Sequence, residues 1–335
     1  MVCTELTNRP IRTLGTSDLQ LSVLGLGTWA IGGDAKVGWG PQEKSESIRT
    51  IHRALELGIN WLDTAPAYGL GTSESVIGEA LKQYSGEVLL ATKCGVQPTE
   101  DGGLVRELRP EQITEELEAS LRRLGVDHID LYQIHWPVPE ERIEASFEAI
   151  LKEQEKGKIR YIGVSNFSAE QLETIAKLGE FVSLQPPYSM LARDIEQSIL
   201  PWCRANNLGV IAYSPMECGL LTGKFSRKWV ESLPSSDWRK SSWGRLKRIN
   251  YFEDPELSGL VEWLAEVQEL FPERSLPEVA INWVLAQDGV TAAIVGARRP
   301  EQIEQTIQAA SWSLSEEDCR MLETSYRRYQ ERMGR

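Results

Sequence analysis

Apolar positions along this chain alternate between two patterns. Short, nearly continuous apolar runs are followed by longer stretches in which apolar residues recur every three to four positions. The short runs, at 23–27, 59–63, 88–93, 129–135, 160–164, 182–185, 210–213 and 292–295, read as buried β-strands. The intervening stretches read as amphipathic helices. Residues 43–57 place Ile48, Ile51, Ala54 and Leu55 on one face and stop at Gly58. Residues 111–124 carry a stripe of Ile113, Leu117, Leu121 and Leu124, opened by Pro110 and closed by Gly125. Ser73 is the expected N-cap of a helix over 73–83, and Ser168 with Gln171 predicts a capping box ahead of 169–178. Helical spacing recurs at 143–156, 195–206, 256–271, 277–286, 301–310 and 316–329.

Strands separated throughout by helices imply parallel pairing with right-handed crossovers. Eight such units in 335 residues favour an α/β fold of the (β/α)8 TIM-barrel type over an open sheet. Residues 11–22 (IRTLGTSDLQLS) add an N-terminal β-hairpin, and the last helical segments are extra C-terminal helices. The whole chain, 1–335, reads as one barrel domain. No GxGxxG follows the first strand, so a Rossmann dinucleotide site has no support. Residues 216–255 break the rhythm. They far exceed an ordinary βα loop, and their glycines, Lys224 and tryptophans predict a lid that folds over a bound ligand.

Composition narrows the function. A formal net charge of −13 argues against nucleic acid and against anionic membrane surfaces as partners. Five cysteines, odd in number and never spaced as CxxC, argue against a disulfide framework or a structural zinc site and for a reducing cytoplasm. No signal-like run opens the chain, and none of its apolar stretches approaches membrane-spanning length.

In a barrel of this kind the active site lies at the carboxyl ends of the strands. There the runs end in Asp63, Lys93 and His135, and Tyr68 follows Asp63 by five residues. Taken singly, each has an ordinary reading as a turn acid, a loop tyrosine, a snorkelling lysine or a core histidine. At one rim they form a set. A phenol with a pKa near 10 is a poor acid at neutral pH, and a neighbouring ammonium is expected to lower that pKa. Asp63 would keep the lysine charged, and His135 would direct a substrate oxygen. The set lacks a nucleophile paired with a base and has too few metal ligands, so no metal is expected. It suits proton delivery to a carbonyl oxygen while a cofactor carries hydride.

The chain resembles the aldo-keto reductases, closest to the bacterial general-stress type. The similarity runs almost end to end through LGLGTWAIGG, LDTAPAYGLGTSESVIGEAL, LGVDHIDLYQIHWP, GKIRYIGVSNFS, LQPPYSML, AYSPMECGLLTGKF and VGARRPEQI. The resemblance implies NADPH/NADP+ bound across the barrel rim, with Asp63, Tyr68, Lys93 and His135 as the catalytic tetrad. It also implies nicotinamide contacts from Ser165, Asn166 and Gln185, with Tyr213 stacked beneath the ring. Ser214, Pro215, Met216, Gly219 and Leu220, with Lys224, would clasp the pyrophosphate. Gly296, Arg298 and Gln302 would hold the adenosine end, and Arg298 and Arg299 suit a 2′-phosphate. Thr28, Trp29 and Asp63 complete the cofactor contacts. Cys218 and Thr306 stand where relatives often carry Arg and Asn.

Trp29, Tyr68, His135 and Trp136, with the excursion's Trp229, Trp238 and Trp243, predict an aromatic-walled pocket for a small-molecule carbonyl substrate. A monomer reducing aldehydes, and some ketones, is the leading expectation. The alternatives are a cofactor-binding regulatory subunit of the same fold and a phosphosugar lyase or isomerase. The intact tetrad disfavours the first, and the lack of metal-ligand clusters disfavours the second.

Overall fold

The structure, a computed structural model, describes residues 10–33, 39–99, 103–234, 237–239 and 249–335. Eight parallel strands close into a barrel whose neighbours follow chain order. They are β1 (Leu24–Gly27), β2 (Trp61–Asp63), β3 (Leu89–Cys94), β4 (Ile129–Ile134), β5 (Ile159–Ser165), β6 (Ser183–Gln185), β7 (Gly209–Ala212) and β8 (Val290–Gly296). β8 pairs back onto β1 with Ala293 facing Leu24 and Gly296 facing Gly27, which seals the barrel.

Between strands lie α1 (Lys44–Glu56), α2 (Thr72–Leu81), α3 (Ile113–Leu124), α4 (Ile143–Glu155), α5 (Ala169–Ile175) and α6 (Ile199–Ala205). The local signals act as expected at α3, which ends where Gly125 turns left-handed at φ 72°. At α5, Ser168 and Gln171 form the reciprocal capping box. α2 differs. Its N-cap is Gly71, and Ser73 lies inside the first turn. The Ser73 hydroxyl is buried against Thr28, donating to Thr28 Oγ1 at 2.7 Å, so it ties the helix to the loop after β1 instead of capping it. β2 is also shorter than its apolar run, because the Ile59 amide still bonds to Ala54 O in the turn leaving α1.

The barrel interior is filled in layers set by the two-residue period of a strand. The lower layer is apolar. Trp61, Ala91, Leu131, Ile211 and Ala292 pack together with Leu14, Leu19 and Leu21 from the N-terminal hairpin (Ile11–Thr13 with Gln20–Ser22). That hairpin plugs the amino end of the barrel. The Trp61 indole fits because Gly25 opposes it: a Cβ there would sit 2.1 Å from the ring.

Two connections bear on the site. After β3, a small antiparallel hairpin, Val96–Pro98 with Leu104–Arg106, rises from the rim where the sequence suggests only a loop. After β7, the described parts of the excursion include α7 (Arg227–Ser232) and send Leu220, Leu221, Phe225, Val230 and Phe252 into the main core. This stretch is therefore anchored by apolar side chains that its polar composition conceals. Trp243 lies outside the described residues. The chain continues through α8 (Glu256–Leu270), α9 (Leu276–Leu285), α10 (Pro300–Thr306) and the C-terminal α11 (Glu316–Arg332). Among the described residues, no helix is long and apolar enough to cross a membrane.

Candidate active site

Moving two residues up each strand from the apolar layer reaches a polar one: Asp63 above Trp61, Lys93 above Ala91, Gln133 above Leu131, Gln185 above Ser183 and Tyr213 above Ile211. Asp63 and Lys93 are almost wholly buried, at 2% and 0% exposure. Such a pair persists only if its charges are well bonded. Lys93 Nζ donates to Asp63 Oδ1 at 2.6 Å and Thr64 O at 2.9 Å, and makes a longer contact of 3.5 Å to Tyr68 Oη. The other carboxylate oxygen, Asp63 Oδ2, accepts from Gln185 Nε2 at 2.7 Å and from Gln133 Nε2 at 3.4 Å. Burial pulls the Lys93 pKa down, and the adjoining Asp63 opposes it. With an acceptor for each ammonium proton, the pocket is arranged around the charged form.

The Tyr68 ring meets the His135 ring edge-on, with centroids 5.9 Å apart. Burial, and secondarily the Asp63 charge, push the phenol's pKa well above its ordinary value. The sequence-based expectation that Lys93 would lower it is not met. Lys93 is committed to Asp63 at 2.6 Å and stands 3.5 Å from the phenol, so desolvation wins. Tyr68 is thus held as a protonated donor. His135 moves the other way: burial first, then the positive charges of Lys93 and Arg106, press its pKa well below the usual value, leaving a neutral imidazole at neutral pH. Thr28 supports Asp63 from behind, donating from Oγ1 to Asp63 O at 2.8 Å.

On the far side of the mouth, Ser165 Oγ donates to Gln185 O at 2.8 Å. Asn166, left-handed at φ 64°, donates from Nδ2 to His135 O at 2.9 Å and accepts from Tyr213 Oη at 2.8 Å. His135, Ser165, Asn166, Gln185 and Tyr213 therefore form one bonded group beside the tetrad. Beyond Tyr213 the backbone is left-handed at Ser214, Glu217, Cys218 and Gly219, with φ of 56°, 44°, 52° and 102°. Left-handed non-glycine residues are costly and collect at ligand clamps, and turns of this kind make anion-binding concavities. Among the described residues, a Cβ at Gly219 would meet only Arg239 Nη1 at 3.6 Å. Met216 is half-buried at its edge, Pro215 and Leu220 are buried, and Lys224 is exposed farther along. These features fit a dinucleotide laid from Tyr213 outward, with Leu220 able to contribute through its backbone.

Gly296 ends β8, and beyond it a cavity of about 410 Å³ opens between Gln42, Glu43 and Glu46 on one wall and Arg298, Arg299 and Gln302 on the other. The Arg298 guanidinium is occupied. It donates from Nε to Gln42 Oε1 at 2.9 Å and from Nη1 to Trp39 O at 2.7 Å, and also reaches Pro41 O. Arg298 thereby pins residues 39–42, while Arg299 is exposed at the same cavity. Gln302 Oε1 accepts from the Arg298 amide at 2.8 Å and orders the start of α10.

Trp29, Trp39 and Trp238 form a triangle with centroids 5.6–6.0 Å apart. Trp136 packs with Tyr68 against Ala65, Ala67 and Val96. Trp229 instead meets Phe225 and Phe252 in the core. Sequence reasoning missed Gln133, Thr64 and Arg106. Gln133 shares its strand and parity with His135, a signal that could have found it. No sequence signal marked the hairpin bearing Arg106. Among the described residues, no cluster of three or more His, Cys, Asp or Glu side chains could hold a metal ion.

Comparison with known proteins gives the family and the fold. A family model described as the aldo/keto reductase family matches residues 23–327. The chain is 37% identical over 317 residues to the aldo-keto reductase YhdN of Bacillus subtilis, covering 93% of this chain and 92% of that protein. It is equally 37% identical, over 325 residues, to an NADH-specific methylglyoxal reductase of Escherichia coli, covering 92% of this chain and 96% of that one. Among solved structures, the glycerol dehydrogenase AKR11B4 of Gluconobacter oxydans superimposes with a TM-score of 0.87 at 36% identity, covering 95% of each chain. The aldo-keto reductase AKR11C1 of Bacillus halodurans, in its holo form, gives 0.76 at 31% identity over 95% of this chain and 96% of that one.

Proposed function

The chain belongs to the aldo/keto reductase family, whose reaction is nicotinamide-dependent carbonyl reduction, and on that premise we propose that it reduces aldehydes, and some ketones, to alcohols with NADPH and with Tyr68 as proton donor. The observation that carries this reading is the Tyr68 phenol, held protonated by burial and flanked by Lys93 and neutral His135.

Each residue then has a role that follows from its surroundings. A nicotinamide bound at this rim would supply the hydride. His135, kept neutral by burial and by nearby positive charge, hydrogen-bonds the carbonyl oxygen without protonating it. Tyr68 gives its proton to that oxygen as it gains charge, and the proton is replaced from solvent. A phenolate left in a buried site is costly, and Lys93 lowers that cost at the moment of transfer. Asp63, gripped on both oxygens, keeps Lys93 charged and in place. Asn166, Ser165 and Gln185 would hold the carboxamide end, Tyr213 would support the ring, and the left-handed turn from Ser214 to Gly219 would take the pyrophosphate. The NADPH preference rests on Arg299 at the cavity beside α10. Glu43 and Glu46 in the opposite wall act against a 2′-phosphate, and the similar Escherichia coli protein is named as NADH-specific.

The test is to follow NADPH and NADH absorbance with a panel of small aldehydes and ketones. Turnover of neutral aldehydes, faster with NADPH, supports the reading. Stoichiometric cofactor binding without turnover across the panel contradicts it.

A further inference from the structure

Arg106 stands out among the charged groups near the site. It closes the hairpin after β3, directly across from Val96, which packs with Tyr68 and Trp136. Its guanidinium lies over the Trp136 indole, 3.5 Å from the ring centroid. Because Trp136 packs with Tyr68, this places the guanidinium at the mouth, near enough for its charge to act on His135 and on the Tyr213 phenol. Among the described residues the Arg106 side chain makes no hydrogen bond or ion pair. The neighbouring carboxylate does not serve it, because Glu107 is engaged by Arg109 and lies 3.6 Å from Arg142.

Among the described residues, the other charges beside Tyr68 are spent. Lys93 is matched by Asp63, and His135 is neutral. Arg106 therefore supplies an uncompensated positive charge at the entrance of a protein whose net charge is −13. Stacking on an indole uses the face of a guanidinium and leaves its in-plane N–H donors free, the geometry that binds a carboxylate in bidentate fashion.

From this placement we propose that Arg106 is a specificity-determining residue that selects carbonyl substrates bearing a carboxylate, the anion resting against Arg106 while the carbonyl oxygen reaches Tyr68 and His135. The proposal rests on the reductase reading above and narrows it. The pocket's aromatic wall alone suits apolar aldehydes, whereas Arg106 adds an anchor for an acid group at the far end of the substrate.

The test compares 4-carboxybenzaldehyde with its neutral counterpart, methyl 4-formylbenzoate, for the wild type, Arg106→Met and Arg106→Lys, all loaded with the same nicotinamide cofactor. Met keeps the apolar stem over Trp136 and removes the charge. The ratio of kcat/KM for the acid over the ester is expected to fall by at least ~10-fold in Arg106→Met, about the value of one charge-assisted contact. The loss should lie in KM, and Lys should restore part of it. Calorimetric titration with 4-carboxybenzyl alcohol, the product, should show the same weakening without any turnover. Reduction of both aldehydes with a ratio unchanged in Arg106→Met overturns the role of Arg106 and leaves the reductase reading standing. Reduction of neither aldehyde by the wild type overturns the reductase reading and this proposal with it.

Discussion

Gln185, on β6, reaches across the barrel mouth to Asp63 on β2 and donates to Oδ2 at 2.7 Å, the oxygen that Lys93 leaves free. The carboxylate is thus held from two sides and cannot rotate. Replacing Gln185 with Leu keeps the bulk but leaves Oδ2 with only the 3.4 Å contact from Gln133. An under-bonded buried carboxylate costs about 1–3 kcal/mol. Urea unfolding of Gln185→Leu should show a loss of that size, with turnover reduced as Lys93 loses its fixed partner. Unchanged stability would mean that the cross-barrel bond contributes little.

Glu116 on α3 offers a pH test away from the chemistry. Its Oε2 accepts from the Gly95 amide at 2.9 Å, and Oε1 is buried. Burial lifts its pKa to about 7. A carboxyl raised above its unfolded value, near 4.3, binds more protons when folded, so its stability contribution is complete below that value and is lost as pH rises through 7. Glu116→Gln, which has no charge to bury, should gain on the wild type from pH 5 to 8, by about 3 kcal/mol at the upper end. A difference that stays flat with pH would contradict the assignment.

At the adenosine cavity the two arginines should separate. Arg298 is bonded to residues 39–42, so Arg298→Ala should loosen that wall and weaken NADPH and NADH alike. Arg299 is exposed at the cavity, and Arg299→Ala should weaken NADPH by about 1.5–3 kcal/mol with little effect on NADH. Fluorescence titration with both cofactors decides this. Equal losses in Arg299→Ala would show that it does not read a 2′-phosphate.

The barrel was legible because its strands are buried on both faces and its helices on one, which gives two distinct periods. That Asp63, Tyr68, Lys93 and His135 meet at one rim was legible for a related reason. Asp63, Lys93 and His135 interrupt apolar runs at the one end of the barrel where chemistry is placed. What escaped depended on contacts distant in sequence. The direction of the Tyr68 shift turns on burial by residues from several elements. The engagement of Arg298 depends on backbone carbonyls more than 250 positions away. Ser73 looked like a cap because local spacing allowed it, and the pull of Thr28 across the barrel rim was invisible locally.

The most direct measurement uses Tyr68→Phe, which removes one hydroxyl and keeps the ring against His135. Cofactor affinity by fluorescence and single-turnover reduction of a neutral aldehyde should be measured on the same preparation. The expected result is unchanged cofactor binding with the reduction rate lowered by at least ~10²-fold, the usual scale of losing a positioned general acid. A single-turnover rate within a few-fold of the wild type would contradict Tyr68 as the proton donor.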